Sequence, residues 1–268
     1  MSLSGFTLLA MNFYATGHDI VGSFFFVLSL GFKQMALYYA PAIGSYLLGK
    51  CIYLGFSQGY VLVHSSLKQY SLSPRGHLFI RLGLVTCITF ILLFLPFLPP
   101  FSQISAILDP ITRIFPFNRG LFEDKVANFW CASNIAFKWK NWASRDALVK
   151  LSASLTTIGF LPAVVGLIQG SVNARSMASD KAATPSTMPT LPLLPFALLT
   201  SSMSFFLFSF QVHEKTILLP LLPMTLLLSG SSPESSVFAW GVLANNVGVF
   251  RYVFQCTTIQ PVFIDFDL

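Results

Sequence analysis

Of the chain's 268 residues, 54% are hydrophobic and 10% are charged, and the mean hydropathy is +0.70. That leaves too little polar surface for a soluble globule of this length. The net charge of +6 is spread over loops and segment ends, which fits membrane-flanking charge and not a nucleic-acid patch.

Residues 1–14 are apolar but carry neither a basic start nor a small-residue cleavage site. They make a poor signal peptide and read as the remainder of a transmembrane helix. Residues 20–32 are uncharged but short of the roughly twenty apolar residues of a full span. Lys33 interrupts them before a second apolar run at 34–48. The pattern predicts two short broken helices, or one tilted span followed by a hairpin, with Pro41 kinking the second piece. A lysine at membrane depth either faces a cavity or partner, or snorkels to the interface; Lys33 is a candidate on the first reading. Residues 51–67 form a weaker span, and His64 and His77 read as interfacial. Lys68, Arg75 and Arg81 surround a Pro74-Arg-Gly76 turn, and such basic loops lie on the cytosolic side. The clearest transmembrane pattern is 82–98, ended by Pro99-Pro100. By parity it delivers the chain to the lumen, so 99–150 is expected to be a lumenal loop.

Within that loop lies Phe115-Pro-Phe-Asn-Arg-Gly-Leu-Phe-Glu-Asp-Lys-Val-Ala-Asn-Phe-Trp-Cys131. Read as a helix starting after Gly120, it has Glu123 and Asp124 in the first turn, where carboxylates suit unpaired backbone amides. Phe122, Val126 and Phe129 or Trp130 then share one face. An acidic-basic rim of Arg119, Glu123, Asp124 and Lys125 over an aromatic face suits a membrane interface; a solvated loop anchored by Trp and Phe is the plainer alternative. Lys138, Lys140, Arg145 and Lys150 make the end of the loop more basic than a lumenal loop should be. Either 126–137 crosses the membrane, or it is a re-entrant or surface helix. The second is preferred, because it keeps His213 on the side of the loop.

Residues 151–169 are a second clear span, and 170–190 a polar connector expected to be a cytosolic loop. A third span, 191–212, runs into His213-Glu214-Lys215. Successive helical residues turn by about 100°, so His213 and Lys215 cannot point one way from a regular helix. Either the helix ends at the triplet, or only part of it faces a site. A charged helix end anchored at the interface is the plainer reading. Pro220 and Pro223 shorten or bend the helix at 217–228, and 237–250 is a last short span. Cys51, Cys87, Cys131 and Cys256 show no Cys-x-x-Cys or metal-ligand spacing. Cys51 and Cys87 read as small hydrophobes, and only Cys131 and Cys256 could face an oxidising lumen.

Three stretches together resemble one family. They are the 115–131 segment, Gly17-His-Asp-Ile-Val-Gly22 with Gly31-Phe-Lys-Gln-Met-Ala-Leu-Tyr-Tyr-Ala-Pro41, and Ser204-Phe-Phe-Leu-Phe-Ser-Phe-Gln-Val-His-Glu-Lys215. In matching order, from about Ser2 to about Phe250, the chain resembles the endoplasmic-reticulum glucosyltransferases that use dolichyl-phosphate glucose. The Phe-Glu-Asp-Lys of the loop is similar to the branch that adds the first, alpha-1,3-linked glucose. The branch that adds the second glucose keeps a His-Glu-Lys triplet but is not expected to carry that loop.

The resemblance implies an all-α, multi-pass GT-C glycosyltransferase fold over residues 1–250, with a divergent tail at 251–268. It implies that glucose passes from dolichyl-phosphate glucose to the dolichyl-pyrophosphate-linked high-mannose oligosaccharide, with inversion. No cofactor or metal is expected, because cationic side chains can stabilise the leaving phosphate. His213 or Lys215 would hold that phosphate, and Glu214 would pair with a cation or a sugar hydroxyl. Arg119, Glu123, Asp124 and Lys125 would shape the cleft, and Lys33 lies in a recurring motif of the family. From the residues alone the general base would be Glu123, Asp124 or Glu214. The family's catalytic Asp lies in a first lumenal loop upstream of anything present here, so no residue of this chain receives that role. The chain is therefore expected to be an internal stretch of such an enzyme, without turnover of its own. A polytopic transporter, suggested by broken helices and Lys33, and a non-catalytic membrane fragment are the alternatives.

Overall fold

The computed structural model describes residues 2–54, 76–103, 108, 126, 128–177, 188–209, 212–230, 234–235 and 242. Every element among them is helical, and three helices are long and apolar enough to cross a membrane: His77–Phe97, Arg145–Ser176 and Leu191–Phe208. The fold is that of an all-α polytopic membrane protein. Two compact units divide the chain, one of Met1–Phe117 with Val164–Leu194, the other of Asn118–Ala163 with Pro195–Leu268.

In the first unit, helix α1 (Ser2–Ala15) packs on α2 (Asp19–Phe32). The stop between them is set by Gly17, whose φ of 81° is left-handed. With that residue turned, the His18 N–H reaches the Phe13 carbonyl at 2.8 Å and the Gly17 N–H reaches that of Tyr14 at 3.2 Å. Two carbonyls left unpaired by the end of α1 are thereby satisfied. Phe13 and Phe25 stack across the pair at 5.5 Å.

Helix α2 ends where Lys33 adopts extended backbone. A 3-10 stretch, Gln34–Tyr39, then leads into α3 (Ala40–Leu54). Short broken helices are thus what the interrupted apolar pattern produces. Pro41 corrects one expectation: it sits in the first turn of α3, where a missing N–H costs no hydrogen bond, and it does not kink the helix. The 51–67 span is described only to Leu54, as the end of α3.

Helix α4 (Gly76–Phe94) continues as a 3-10 turn, Leu95–Phe97. Only 11% of the apolar window of this span is buried, and Phe79, Ile80, Leu84, Ile91 and Leu92 face outward. Such a surface is stable only with lipid as its solvent. Where Gly31 near the end of α2 meets Leu93 near the end of α4, a Cβ on the glycine would fall 2.6 Å from a leucine methyl. The tip carrying Lys33 and the start of the chain beyond Leu98 therefore lie at one end of this unit.

Beyond α4, the described chain resumes as a helix α5 (Phe129–Phe137), a single turn α6 (Trp139–Trp142) and a long helix α7 (Arg145–Met177). The first part of α7 belongs to the second unit and its last part to the first. There Ser171 backs onto Gly49 of α3, and Arg175 donates to the Ile52 carbonyl at 2.8 Å. The connector expected to begin at Gly170 is still helical to Met177, because Arg175 has a partner on α3 and no glycine or proline follows Gly170 before that point.

The second unit also holds α8 (Leu194–Phe208) and α9 (Leu218–Gly230), the latter with Pro223 inside it. Phe160 of α7 stacks on Phe205 of α8 at 5.8 Å. Close by, a Cβ on Gly159 would overlap the Ser204 side chain, so the two helices approach through that glycine. Helix α8 ends at Phe208, short of the expected boundary at residue 212. The 237–250 span lies outside the described residues apart from residue 242.

Candidate functional site

The stretch that follows α8 is built around two fastenings in the second unit. At Phe208 the last carbonyls of α8 lose their helical partners. The indole N–H of Trp130 donates to the Phe208 carbonyl at 2.9 Å, and the Ser152 hydroxyl donates to the same oxygen at 2.7 Å. Further on, Val212 is buried against Val126 and Phe206, with Met203, Leu207 and Ile217 around them. The end of the 115–131 segment is therefore seated directly beside Val212 and its neighbour His213.

The segment reaches that position through α5. Its first residue is Phe129, and the Asn128 side chain caps it by accepting from the Cys131 N–H at 2.9 Å. The helix expected to start after Gly120 lies outside the described residues, and it does not run on unbroken to Trp130, since Val126 is not helical and Asn128 is extended. Nine residues are too few to cross a bilayer, so α5 is not a span. Lys138 closes it in a left-handed conformation (φ 44°), with the Asn134 side chain accepting from the Trp139 N–H at 3.0 Å. That turn folds Trp139 back onto Trp130, ring centres 5.7 Å apart, and its indole N–H donates to Ser133 at 2.8 Å. Trp130 itself is fully buried, against Leu148 of α7. Among the cations near this elbow, Lys138, Arg145 and Lys150 are exposed.

His213 has extended backbone (φ −90°, ψ 152°) and is half-buried. Its carbonyl accepts from the Thr216 N–H at 3.0 Å and from the Thr216 hydroxyl, which starts a 3-10 turn, Glu214–Ile217, leading into α9. The helix has therefore ended before the triplet, the first of the two arrangements the sequence left open. Side chains alternate along extended backbone, so with Val212 turned into the apolar cluster, His213 turns to the other side. Lys215 is exposed, as an interfacial cation would be. The backbone of Glu214 belongs to the turn; nothing of its side chain is described.

Of the other candidate residues, Arg119, Glu123, Asp124 and Lys125 lie outside the described residues. Lys33 is exposed at the tip between α2 and the 3-10 stretch, its N–H bonded to the Ser29 carbonyl at 3.2 Å. It is described in the first unit, and His213 in the second. No group of three or more His, Cys, Asp or Glu residues is placed to hold a metal among the described residues.

Two buried groups escaped the sequence reading. Lys50 of α3 and Asp19 of α2 form an ion pair, their side chains 2% and 7% exposed. Trp130 is the second, read from the sequence only as an aromatic face. A lone acid and a lone base bordering adjacent apolar runs were the available signal for the first.

Residues 1–264 match the ALG6, ALG8 glycosyltransferase family. The chain belongs to that family. Among its relatives, a Dictyostelium discoideum protein named probable dolichyl pyrophosphate Man9GlcNAc2 alpha-1,3-glucosyltransferase is 37% identical over 97% of this chain and 43% of its own length. The Saccharomyces cerevisiae protein named dolichyl pyrophosphate Man9GlcNAc2 alpha-1,3-glucosyltransferase is 39% identical over 92% of this chain and 38% of its own. One of the same name from Pongo abelii is 35% identical over 96% of this chain and 43% of its own. The chain spans less than half the length of these relatives. Membership of the ALG6, ALG8 family does not favour the transporter reading.

Proposed function

We propose that this chain serves glucose transfer from dolichyl-phosphate glucose to the dolichyl-pyrophosphate-linked high-mannose oligosaccharide, forming an alpha-1,3 linkage with inversion in the endoplasmic-reticulum membrane. The single observation that carries this reading is the packing of Val126 on Val212, which seats the end of the acidic-aromatic segment beside His213. The relatives' names supply the acceptor.

The chemistry asks little of the protein at the leaving group. The acceptor hydroxyl oxygen attacks the anomeric carbon, the bond from that carbon to the phosphate oxygen breaks, and dolichyl phosphate leaves with the electron pair. A general base takes the hydroxyl proton. His213 and Lys215 offer donors to the phosphate as its charge rises. Glu214 orients a cation or a sugar hydroxyl; Arg119, Glu123, Asp124 and Lys125 line the approach of the glycan, and Lys33 meets lipid phosphate at the interface. No residue of this chain is assigned the role of general base.

The test is transfer of labelled glucose in microsomes from cells lacking their own relative. One arm contains this chain, and a parallel arm contains it preceded by the corresponding first part of the Saccharomyces cerevisiae relative. Transfer that is lost on His213→Ala, with the protein still present and folded, supports the reading. Transfer unchanged by that substitution removes His213 from the donor site, and no transfer in either arm contradicts the function.

A further inference from the structure

We propose that Trp130 is a positioning residue for the phosphate-binding turn at His213, an inference that rests on the donor-site reading above. The buried indole never reaches a ligand: Trp130 is 0% exposed, wedged between Leu148 and Trp139. What it does reach is the Phe208 carbonyl, at 2.9 Å.

Two contacts tie the chain after α8 to the 126–130 segment, and they run in antiparallel order. Phe208 is held by Trp130, and Val212 is packed on Val126. The chain between Phe208 and Val212 is thus fixed at both ends to one short stretch of backbone, itself locked by the Asn128 cap and the Trp139–Ser133 hydrogen bond. His213 is the next residue, and Thr216 fixes its carbonyl from the far side. Among the described contacts that hold the end of α8, the Trp130 N–H is the one that comes from the aromatic elbow. Ser152 of α7, 2% exposed, shares the same acceptor. Losing the indole N–H therefore leaves α8 intact but lets its end, and the imidazole beyond it, drift. A shift of about 1 Å in a group that binds a ligand is enough to cost affinity.

The experiment is a double-mutant cycle on this chain in lipid nanodiscs, read as equilibrium binding of dolichyl-phosphate glucose. Trp130→Phe, which keeps the ring and loses the N–H, is expected to weaken binding about five- to tenfold in the native background. In the His213→Ala background the same substitution is expected to change binding by less than about twofold, since the group it positions is gone. A merely structural role would weaken both backgrounds alike; that result, or no weakening in the native background, overturns the proposal. Failure of His213→Ala itself to weaken binding overturns the underlying donor-site reading instead. Should Trp130→Phe not fold, the cycle with Ser152→Ala decides by the same criterion, with a smaller weakening expected.

Discussion

Lys50 Nζ lies 2.9 Å from one carboxylate oxygen of Asp19 and 2.8 Å from the other, so that one ammonium bridges the whole carboxylate. Asp19 opens α2, where the helix dipole favours its charge, and Lys50 lies toward the end of α3. The pair ties the start of α2 to α3 across the break at Lys33. In a membrane domain such a pair is costly to form and more costly to break.

Breaking it from one side is the first prediction. Lys50→Met or Asp19→Leu alone is expected to destabilise the protein by about 3–5 kcal/mol, because one buried charge is left without a counter-charge. The double substitution should recover most of that loss. Thermal unfolding in detergent of the two single variants and the double variant checks it; equal loss in all three would show that the pair does not act as a unit.

The Phe208 carbonyl has two donors, which makes its loss non-additive. Trp130→Phe or Ser152→Ala alone leaves one donor in place and is expected to cost about 1 kcal/mol. Together they leave the carbonyl unsatisfied, and the cost should exceed the sum of the single effects, at about 2–3 kcal/mol. Unfolding midpoints of the four proteins in one detergent are the measurement, and a simple sum would contradict a shared acceptor.

Gly17 has a conformational role and fills no space. Gly17→Ala is expected to lower stability by about 1–2 kcal/mol, since a side chain must then adopt the left-handed conformation that ends α1. Gly5→Ala near the start of α1, where a Cβ would meet nothing within 4 Å, should be neutral or stabilising by comparison. Unfolding midpoints of the two variants decide it; equal effects would remove the turn from the account.

Much of this architecture was legible because long apolar runs have only one cheap conformation in lipid. Helices α4, α7 and α8 and the break at Lys33 follow from that alone. Val126 and Trp130 read from the sequence as part of an aromatic face at the membrane interface, whereas both side chains are buried. A helix continuous from Gly120 to Trp130 was suggested by acidic residues and apolar spacing, but Asn128 is extended and its side chain caps a helix that starts at Phe129. The end of α8 was hidden for another reason. No glycine or proline follows Phe208 to mark the stop; the carbonyl is capped by Trp130 and Ser152, from elements far away in the sequence. The Asp19–Lys50 pair was illegible likewise, since its members stand 31 residues apart and each alone resembles an interfacial charge. The roles of Arg119, Glu123, Asp124 and Lys125 rest on the sequence alone.

Everything proposed for glucose transfer requires the acidic-aromatic segment and the His213 turn to face one compartment. The direct measurement is cysteine accessibility in sealed endoplasmic-reticulum vesicles, in a chain whose four native cysteines are replaced by alanine. Arg119→Cys and Lys215→Cys are each challenged with a membrane-impermeant maleimide before and after permeabilisation. Both cysteines are expected to be protected in intact vesicles and labelled once the membrane is opened. Labelling of one from outside while the other stays protected would place the two regions across the membrane from each other and contradict a shared site.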